Sequence, residues 1–260
     1  MPEKITSREN RIIKLCRKLR SGAKERREEG LFLAEGVRLC RETLEAGLGE
    51  CTLLATPDAA EKYPWLTDKA RLTLITPELA GYISDTATTQ GVFCLCPLPE
   101  EKKLFPDPRG RYLLLDNLQD PGNLGTIIRG AEAFGMTGLI LSRGCPDCFS
   151  PKVLRSTMGS IFRQPVYRCG DLAEEVVRMR NTGIQTYAAT LNPGAVGVQA
   201  LENCREGLAV VVGNEGNGVS PQVIDACGAA VYIPMSPAIE SLNAAAAATV
   251  IMWEMAGRGR

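Results

Sequence analysis

The sequence predicts an α/β protein in two parts, a small α/β module over 1–100 and a larger one over 112–260 built on a mostly parallel sheet. Three observations carry that expectation. From Tyr112 onward, short runs of apolar residues alternate with helical segments of about ten residues or more, the signature of a parallel sheet covered on both faces. The first hundred residues show the same alternation with short strand candidates. Between the two, PLPEEKKLFPDPRGR at 97–111 is rich in proline and charge and lacks periodicity, so 101–111 reads as a linker. At 260 residues, each part is long enough to bury a core of its own.

Taken in order, Thr6-Ser7-Arg8-Glu9 fits a capping box and opens a helix whose Ile12, Leu15, Cys16 and Leu19 share one face. LFLAEG at 31–36 reads as a strand, followed by a helix from Arg38 to Ala46. CTLLAT (51–56), RLTLIT (71–76) and GVFCLC (91–96) are further strand candidates. In the second part YLLLD is a buried strand, followed by a loop in which Gly122 and Gly125 allow tight turns, and TIIRGAEAFG is a helix. GLILS is a strand, and SPKVLRSTMGSIF is a helix opened by its Ser-Pro start. VYRC, IQTYAATL, LAVVVG and AVYIPM are strands; DLAEEVVRMRNTG, SPQVIDACG and SLNAAAAATVIMWEMAG are the helices among and after them.

Composition excludes several classes of function. With 45% hydrophobic and 23% charged residues the chain is globular in type. No apolar run reaches the ~18 to 20 residues of a membrane span, and MPEKITSRENRIIK lacks the apolar core of a secretory signal; the expected location is cytoplasmic. The chain has no histidine, which removes Ser-His and Cys-His nucleophiles and imidazole bases. Any chemistry must use Arg, Lys, Asp, Glu, Ser, Asn or the backbone. The ten cysteines are scattered, and the one CxxC, Cys145 to Cys148, has no second pair or histidine to complete a zinc site. Free thiols in a reducing compartment and no bound metal are expected.

Net charge is zero but unevenly spread. Ten basic residues lie between Lys4 and Arg27 against Glu9 and Glu25, and five between Arg143 and Arg168 against Asp147. Such patches suit a phosphate backbone held at defined places, or equally solvated helix faces.

Three loops at the carboxyl ends of predicted strands stand where open α/β sheets bind ligands. The first, 117–135, carries Asn123 and, on the following helix, Arg129, which reads as a pocket residue in preference to a surface one. The second, VVVGNEGNGVSP, runs G-x-x-G-x-G from Gly213, which is not the dinucleotide-binding order, and no acidic residue closes AVYIPM to hold a ribose. Glu215 is a carboxylate in that tight loop. In the third, 232–250, Ser241, Leu242 and Asn243 open a helix of five consecutive alanines, whose small face lets another backbone approach closely or packs under a sheet.

These stretches, with SPKVLRSTMGSIFR between them, resemble the signature motifs of the SpoU (TrmH) RNA ribose methyltransferases of the SPOUT superfamily, over about 105–260. The first hundred residues, with TSRENRIIKLCRKL, FLAEG and QGVF, resemble the RNA substrate-binding module often fused ahead of them, a small ribosomal-protein-like α/β fold. The resemblance implies a deep trefoil knot in the methyltransferase domain over 112–260. It implies S-adenosylmethionine bound there through main-chain groups of Gly213, Ile233 and Leu242, with Thr190, Leu191, Asn214 and Met235 as further walls. The family's catalytic positions fall on Asn123, Arg129, Glu215, Ser241 and Asn243, with Arg129 at the ribose 2′-hydroxyl. Arginine is a poor base because its pKa exceeds about 12. Its expected part is to grip the adjoining phosphate and stabilise developing alkoxide, while Asn123, Ser241 and Asn243 orient the ribose and Glu215 fixes the loop or Arg129.

Structured RNA is the implied substrate, ribosomal over transfer RNA, with Arg8, Arg11, Lys14 and Lys18 and the pair Lys152 and Arg155 as RNA contacts. An isologous homodimer is implied as well. Two alternatives stand beside this reading, a transfer-RNA ribose methyltransferase and a catalytically inactive RNA-binding assembly factor. Base-nitrogen methylation on the same fold is disfavoured by the Asn123–Arg129 pair.

Overall fold

The computed structural model describes residues 3–66, 71–101, 103–203, 206–236, 238–239 and 241–257. The elements in chain order are β1 Glu3–Ile5, α1 Arg11–Ser21, α2 Ala23–Glu29, β2 Leu31–Glu35, α3 Val37–Glu45, β3 Thr52–Ala55, α4 Pro57–Lys62, β4 Arg71–Ile75, α5 Pro77–Ile83 and β5 Val92–Pro97. They continue with β6 Arg111–Leu115, α6 Pro121–Ala133, β7 Gly138–Leu141, α7 Pro151–Thr157, β8 Val166–Arg168, α8 Leu172–Asn181, β9 Gln185–Ala189, β10 Val196–Gly197, β11 Leu208–Val212, α9 Pro221–Ala226, β12 Ala229–Tyr232 and α10 Ala244–Ala256. Their contacts divide the chain into two units, 1–100 with 147–162, and 101–146 with 163–260.

In the first unit a five-stranded sheet of order β1-β4-β3-β5-β2 is mixed: β1 and β3 run parallel to β4, and β5 runs antiparallel to β3 and β2. The first helix starts later than its capping box suggests. Asn10 is its N-cap, with its side-chain oxygen accepting the Ile12 amide at 2.8 Å, while the Ser7 hydroxyl takes only the Glu9 amide. The helix's buried face is Ile13, Cys16 and Leu19, with Ile12 and Leu15 half-buried.

Residues 147–162 group with this unit although they follow β7 in the chain. The reason is aromatic and ionic: Phe149 and Phe162 set their rings 5.0 and 6.1 Å from Phe32, and Asp147 pairs with the buried Arg26 at 2.7 Å. The expected helix over 150–162 is correspondingly broken. α7 ends at Thr157, Met158 and Gly159 take positive φ of 52° and 93°, and a 3₁₀ turn follows over Ser160–Phe162.

The second unit holds a seven-stranded sheet of order β10-β12-β9-β11-β6-β7-β8, in which every pair is parallel. Every residue of β11 is buried, and so are four of the five in β6, as strands covered on both faces require. One sequence expectation is corrected here: Gly122 and Gly125 lie inside α6 and do not form a turn. Asp120 caps the helix by accepting the Asn123 amide, and Pro121 occupies its first position, so the helix opens at the Asp-Pro step. Arg129 consequently stands in the third turn. α6 and α10 pack closely at Gly130, where a Cβ would meet the terminal methyl of Met252.

The expectation of free thiols throughout is also corrected. Cys51 and Cys96 are bonded to each other, and Cys145 and Cys148 are buried. Among the described residues no helix is long and apolar enough to cross a membrane.

Candidate active site

Parallel registry brings the expected cofactor positions after β9, β11 and β12 to one end of the second sheet. Ala188 of β9 stands opposite Val211 of β11, and Ala189 opposite Val231 of β12. Two residues further on, Thr190 and Leu191, Gly213 and Ile233 therefore emerge side by side past the carboxyl ends of adjacent strands, where parallel sheets leave room for ligands. The Thr190 amide still donates to the Val231 carbonyl at 3.0 Å. Leu191 and Leu242 are large apolar side chains left 67% and 39% exposed. Ile233 and Met235 are half-buried.

Gly213 is required by its surroundings. Asn214 and Gly218 exchange backbone hydrogen bonds of 3.0 and 2.9 Å, folding the loop back so that a Cβ at 213 would collide with the Gly218 carbonyl and the Val219 amide. The Asn214 side chain is spent on backbone groups: its oxygen accepts the Gly216 and Asn217 amides of its own loop, and its nitrogen donates to the Asn117 carbonyl of the first loop at 2.8 Å. What Asn214 offers a ligand is main chain.

Asn123, Glu215 and Asn243, one from each motif, form a single chain of hydrogen bonds. Asn243 Nδ2 donates to Asn123 Oδ1 at 3.0 Å, and Asn123 Nδ2 donates to Glu215 Oε1 at 2.9 Å. Glu215 also accepts the amides of Gln119 and Asp120 at 3.0 and 3.2 Å. Desolvation alone would raise the Glu215 pKa, but the bond from Asn123 and those amides outweigh it and hold the carboxyl below its usual range. Glu215 is thus ionised at neutral pH and a weak base, which fits a clasp between two loops better than proton abstraction.

Asn243 serves twice, since its Oδ1 also caps α10 by accepting the Ala245 and Ala246 amides. This separates two roles by mutation. Asn243→Asp keeps the cap and should leave thermal stability nearly unchanged, but sets a carboxylate against Asn123 Oδ1 and should weaken S-adenosylmethionine binding by about tenfold. Asn243→Ala should lose both, including about 1 kcal/mol of stability. Calorimetry and thermal melts on the two variants check this.

Ser241 and Leu242 lie exposed immediately before Asn243. Arg129 is exposed on α6, six residues or about 9 Å of helix rise beyond Asn123, and among the described residues it has no hydrogen-bond or ion-pair partner. It is outside the Asn123 network. Sequence reasoning missed Asp116, which is buried at the end of β6 and accepts the Ser220 amide at 2.8 Å and the Asn117 side chain at 2.9 Å. It ties the second motif's loop to the first; an aspartate closing the apolar run YLLLD was the available signal.

The RNA-contact candidates belong to the first unit, Lys152 and Arg155 included. Lys14 pairs with Glu9, Lys18 with Glu29 at 2.8 Å and Arg155 with Asp85 at 2.8 Å, whereas Arg8 stacks over the Tyr82 ring at 4.7 Å. Arg11 and Lys152 are exposed.

The chain is similar to known proteins over both units. The family described as SpoU rRNA Methylase matches residues 110–253, and an MRM3-like substrate binding domain matches 10–94. The chain is 32% identical to the 23S rRNA (guanosine(2553)-2'-O)-methyltransferase RlmP of Bacillus subtilis (strain 168), over 98% of this chain and 100% of that protein. It is 30% identical to the mitochondrial rRNA methyltransferase 3A of Danio rerio, over 97% and 69%. Among solved structures it is similar to the AdoMet-bound rRNA methyltransferase from Sinorhizobium meliloti (TM-score 0.84, 29% identity, 97% of each chain). It is equally similar to the SpoU methyltransferase AviRb from Streptomyces viridochromogenes with AdoMet (TM-score 0.84, 28%, 96% and 100%).

Fold and site therefore define an RNA 2′-O-methyltransferase that uses S-adenosylmethionine. The chain belongs to the SpoU rRNA methylase family.

Proposed function

We propose that this enzyme methylates a ribose 2′-hydroxyl of structured ribosomal RNA in the cytoplasm, as an isologous homodimer with a knotted catalytic domain over 112–260 and an RNA-binding domain over 1–100. The observation that carries the reading is the hydrogen-bonded chain Asn243–Asn123–Glu215, which joins the three motif loops that follow β6, β11 and β12. The residues present fit S-adenosylmethionine: backbone at Gly213, Ile233 and Leu242, and further walls at Thr190, Leu191, Asn214 and Met235. That cofactor supplies an electrophilic methyl group on a sulfonium.

The chain's own residues do the rest. Arg129 holds the phosphate next to the target ribose and stabilises negative charge growing on the 2′-oxygen, and the proton leaves to phosphate or water. Ser241 and the Asn123–Asn243 pair orient the sugar, while Glu215 keeps the first and second loops in register. Arg8, Arg11, Lys14 and Lys18, with Lys152 and Arg155, hold RNA phosphates away from the reacting atom.

Two features support the finer claims. α10 returns from β12, at the far side of β9, to pack on α6, the 198–203 turn, β11 and β6, the path a threaded C-terminal segment would follow. Trp253 on that helix is 55% exposed and meets Phe134 edge-on at 5.9 Å, an aromatic surface suited to a second copy.

The test is to incubate the purified protein with ribosomal RNA and methyl-labelled S-adenosylmethionine. The label is then mapped by resistance of the 2′-O-methylated linkage to alkali, and the same preparation is sedimented. Label on one ribose and a dimer in the cell support the reading; label on a base, or a fully active monomer, contradicts it.

A further inference from the structure

Three cysteines of the first unit meet at a place that methyl transfer does not use. Thr52 of β3 faces Leu95 of β5 in antiparallel register, so Cys51 faces Cys96 one step outward; their Cα atoms are 4.7 Å apart and their sulfurs are bonded. Cys94, on the same face of β5, puts its sulfur 3.2 Å from that of Cys96. Cys94 and Cys96 are fully buried, whereas Cys51 keeps 8% exposure. Cys51 borders a cleft of about 520 Å³, whose wall includes Arg41, Glu45, Glu50, Trp65 and Arg71. The Arg41 guanidinium is stacked over the Trp65 ring at 5.0 Å, which fixes its direction.

We propose that Cys51 and Cys96 form a reversible thiol–disulfide exchange site, entered at Cys51 from this cleft, whose ligand is a small zwitterionic thiol or its disulfide. The wall sets the ligand class. Arg41 and Arg71 suit a carboxylate, and Glu45 and Glu50 suit an ammonium, within a volume typical of small-molecule sites. In the oxidising direction the Cys51 thiolate attacks the small disulfide, forming a mixed disulfide and releasing one small thiol. The Cys96 thiolate then attacks the Cys51 sulfur, closing the protein disulfide and releasing the second. The two protein thiols lose two electrons and two protons, which the small disulfide takes up in becoming two thiols. Excess small thiol runs the sequence backwards. Burial pushes the Cys94 thiol up to about 12, and Cys94 does not border the cleft, so entry is left to Cys51.

The test uses the full-length protein, reduced and then mixed anaerobically with oxidised glutathione, with alkylation and mass spectrometry over time. Cys51 is expected to carry glutathione first, followed by the Cys51–Cys96 disulfide. In Cys96→Ser the adduct should remain on Cys51. Arg41→Ala should slow the first step with oxidised glutathione by about twofold to fivefold, and should not slow it with cystamine, which has no carboxylate. The wild-type time course decides the matter even if a variant fails to fold. A first adduct on another cysteine, or a Cys51 and Cys96 that stay reduced in excess oxidised glutathione, overturns the proposal. So does isolated protein whose reduced Cys51, Cys94 and Cys96 hold one equivalent of zinc, which would make the cluster a metal centre.

Discussion

Arg129→Ala is expected to slow methyl transfer on bound RNA by about 10² to 10³-fold while S-adenosylmethionine binds as before. The magnitude is that of removing one preorganised donor from a site where charge develops, about 2.7 to 4 kcal/mol of barrier. The split follows from placement. Arg129 lies outside the Asn243–Asn123–Glu215 chain and makes no hydrogen bond or ion pair among the described residues, so its loss should leave the cofactor loops intact. Arg129→Lys keeps the charge but not the planar fork, and should recover only part of the rate. Single-turnover kinetics with calorimetry of cofactor binding read both quantities. Normal single-turnover rates in Arg129→Ala would remove Arg129 from the chemistry.

The largest stability effect is expected at Asp147→Ala. Arg26 is 4% exposed, donates Nε to Asp147 at 2.7 Å, and gives Nη1 to the Leu19 carbonyl at 2.5 Å. Removing the carboxylate leaves a buried guanidinium with its charge unpaired, which costs about 3 to 5 kcal/mol. Asp147 also caps its own turn by accepting the Phe149 amide at 3.0 Å. Asp147→Asn retains an acceptor and should cost less. Urea unfolding followed by circular dichroism reads the difference; a midpoint unchanged in Asp147→Ala would mean that water replaces the carboxylate.

Much of this was legible in the sequence for identifiable reasons. Buried parallel strands such as LAVVV and YLLL announce themselves as unbroken apolar runs, and the three ligand loops follow because they must leave those strands at one edge. Asn243 was legible as a motif residue, but its part as the cap of α10 was not, because the helix was expected to open at Ser241. What could not be read depended on distant pairings. The Asp147–Arg26 ion pair spans 121 residues, and Phe149 and Phe162 find Phe32 from across the linker; local periodicity has no access to either. The misplaced start of α6 was a different kind of error. Two glycines suggested a loop, yet Asp120-Pro121 is a cap and first-position signal as strong as the Ser-Pro step of α7. The Cys51–Cys96 bond needed the β3–β5 register, which spacing alone does not contain.

Amide hydrogen exchange with and without S-adenosylmethionine probes the pocket most directly. Slower exchange concentrated at 190–191, 213–218 and 233–243, with the first sheet unaffected, is the expected result. Saturable binding that leaves those three segments exchanging at their free rates would place the methyl donor elsewhere and contradict the account.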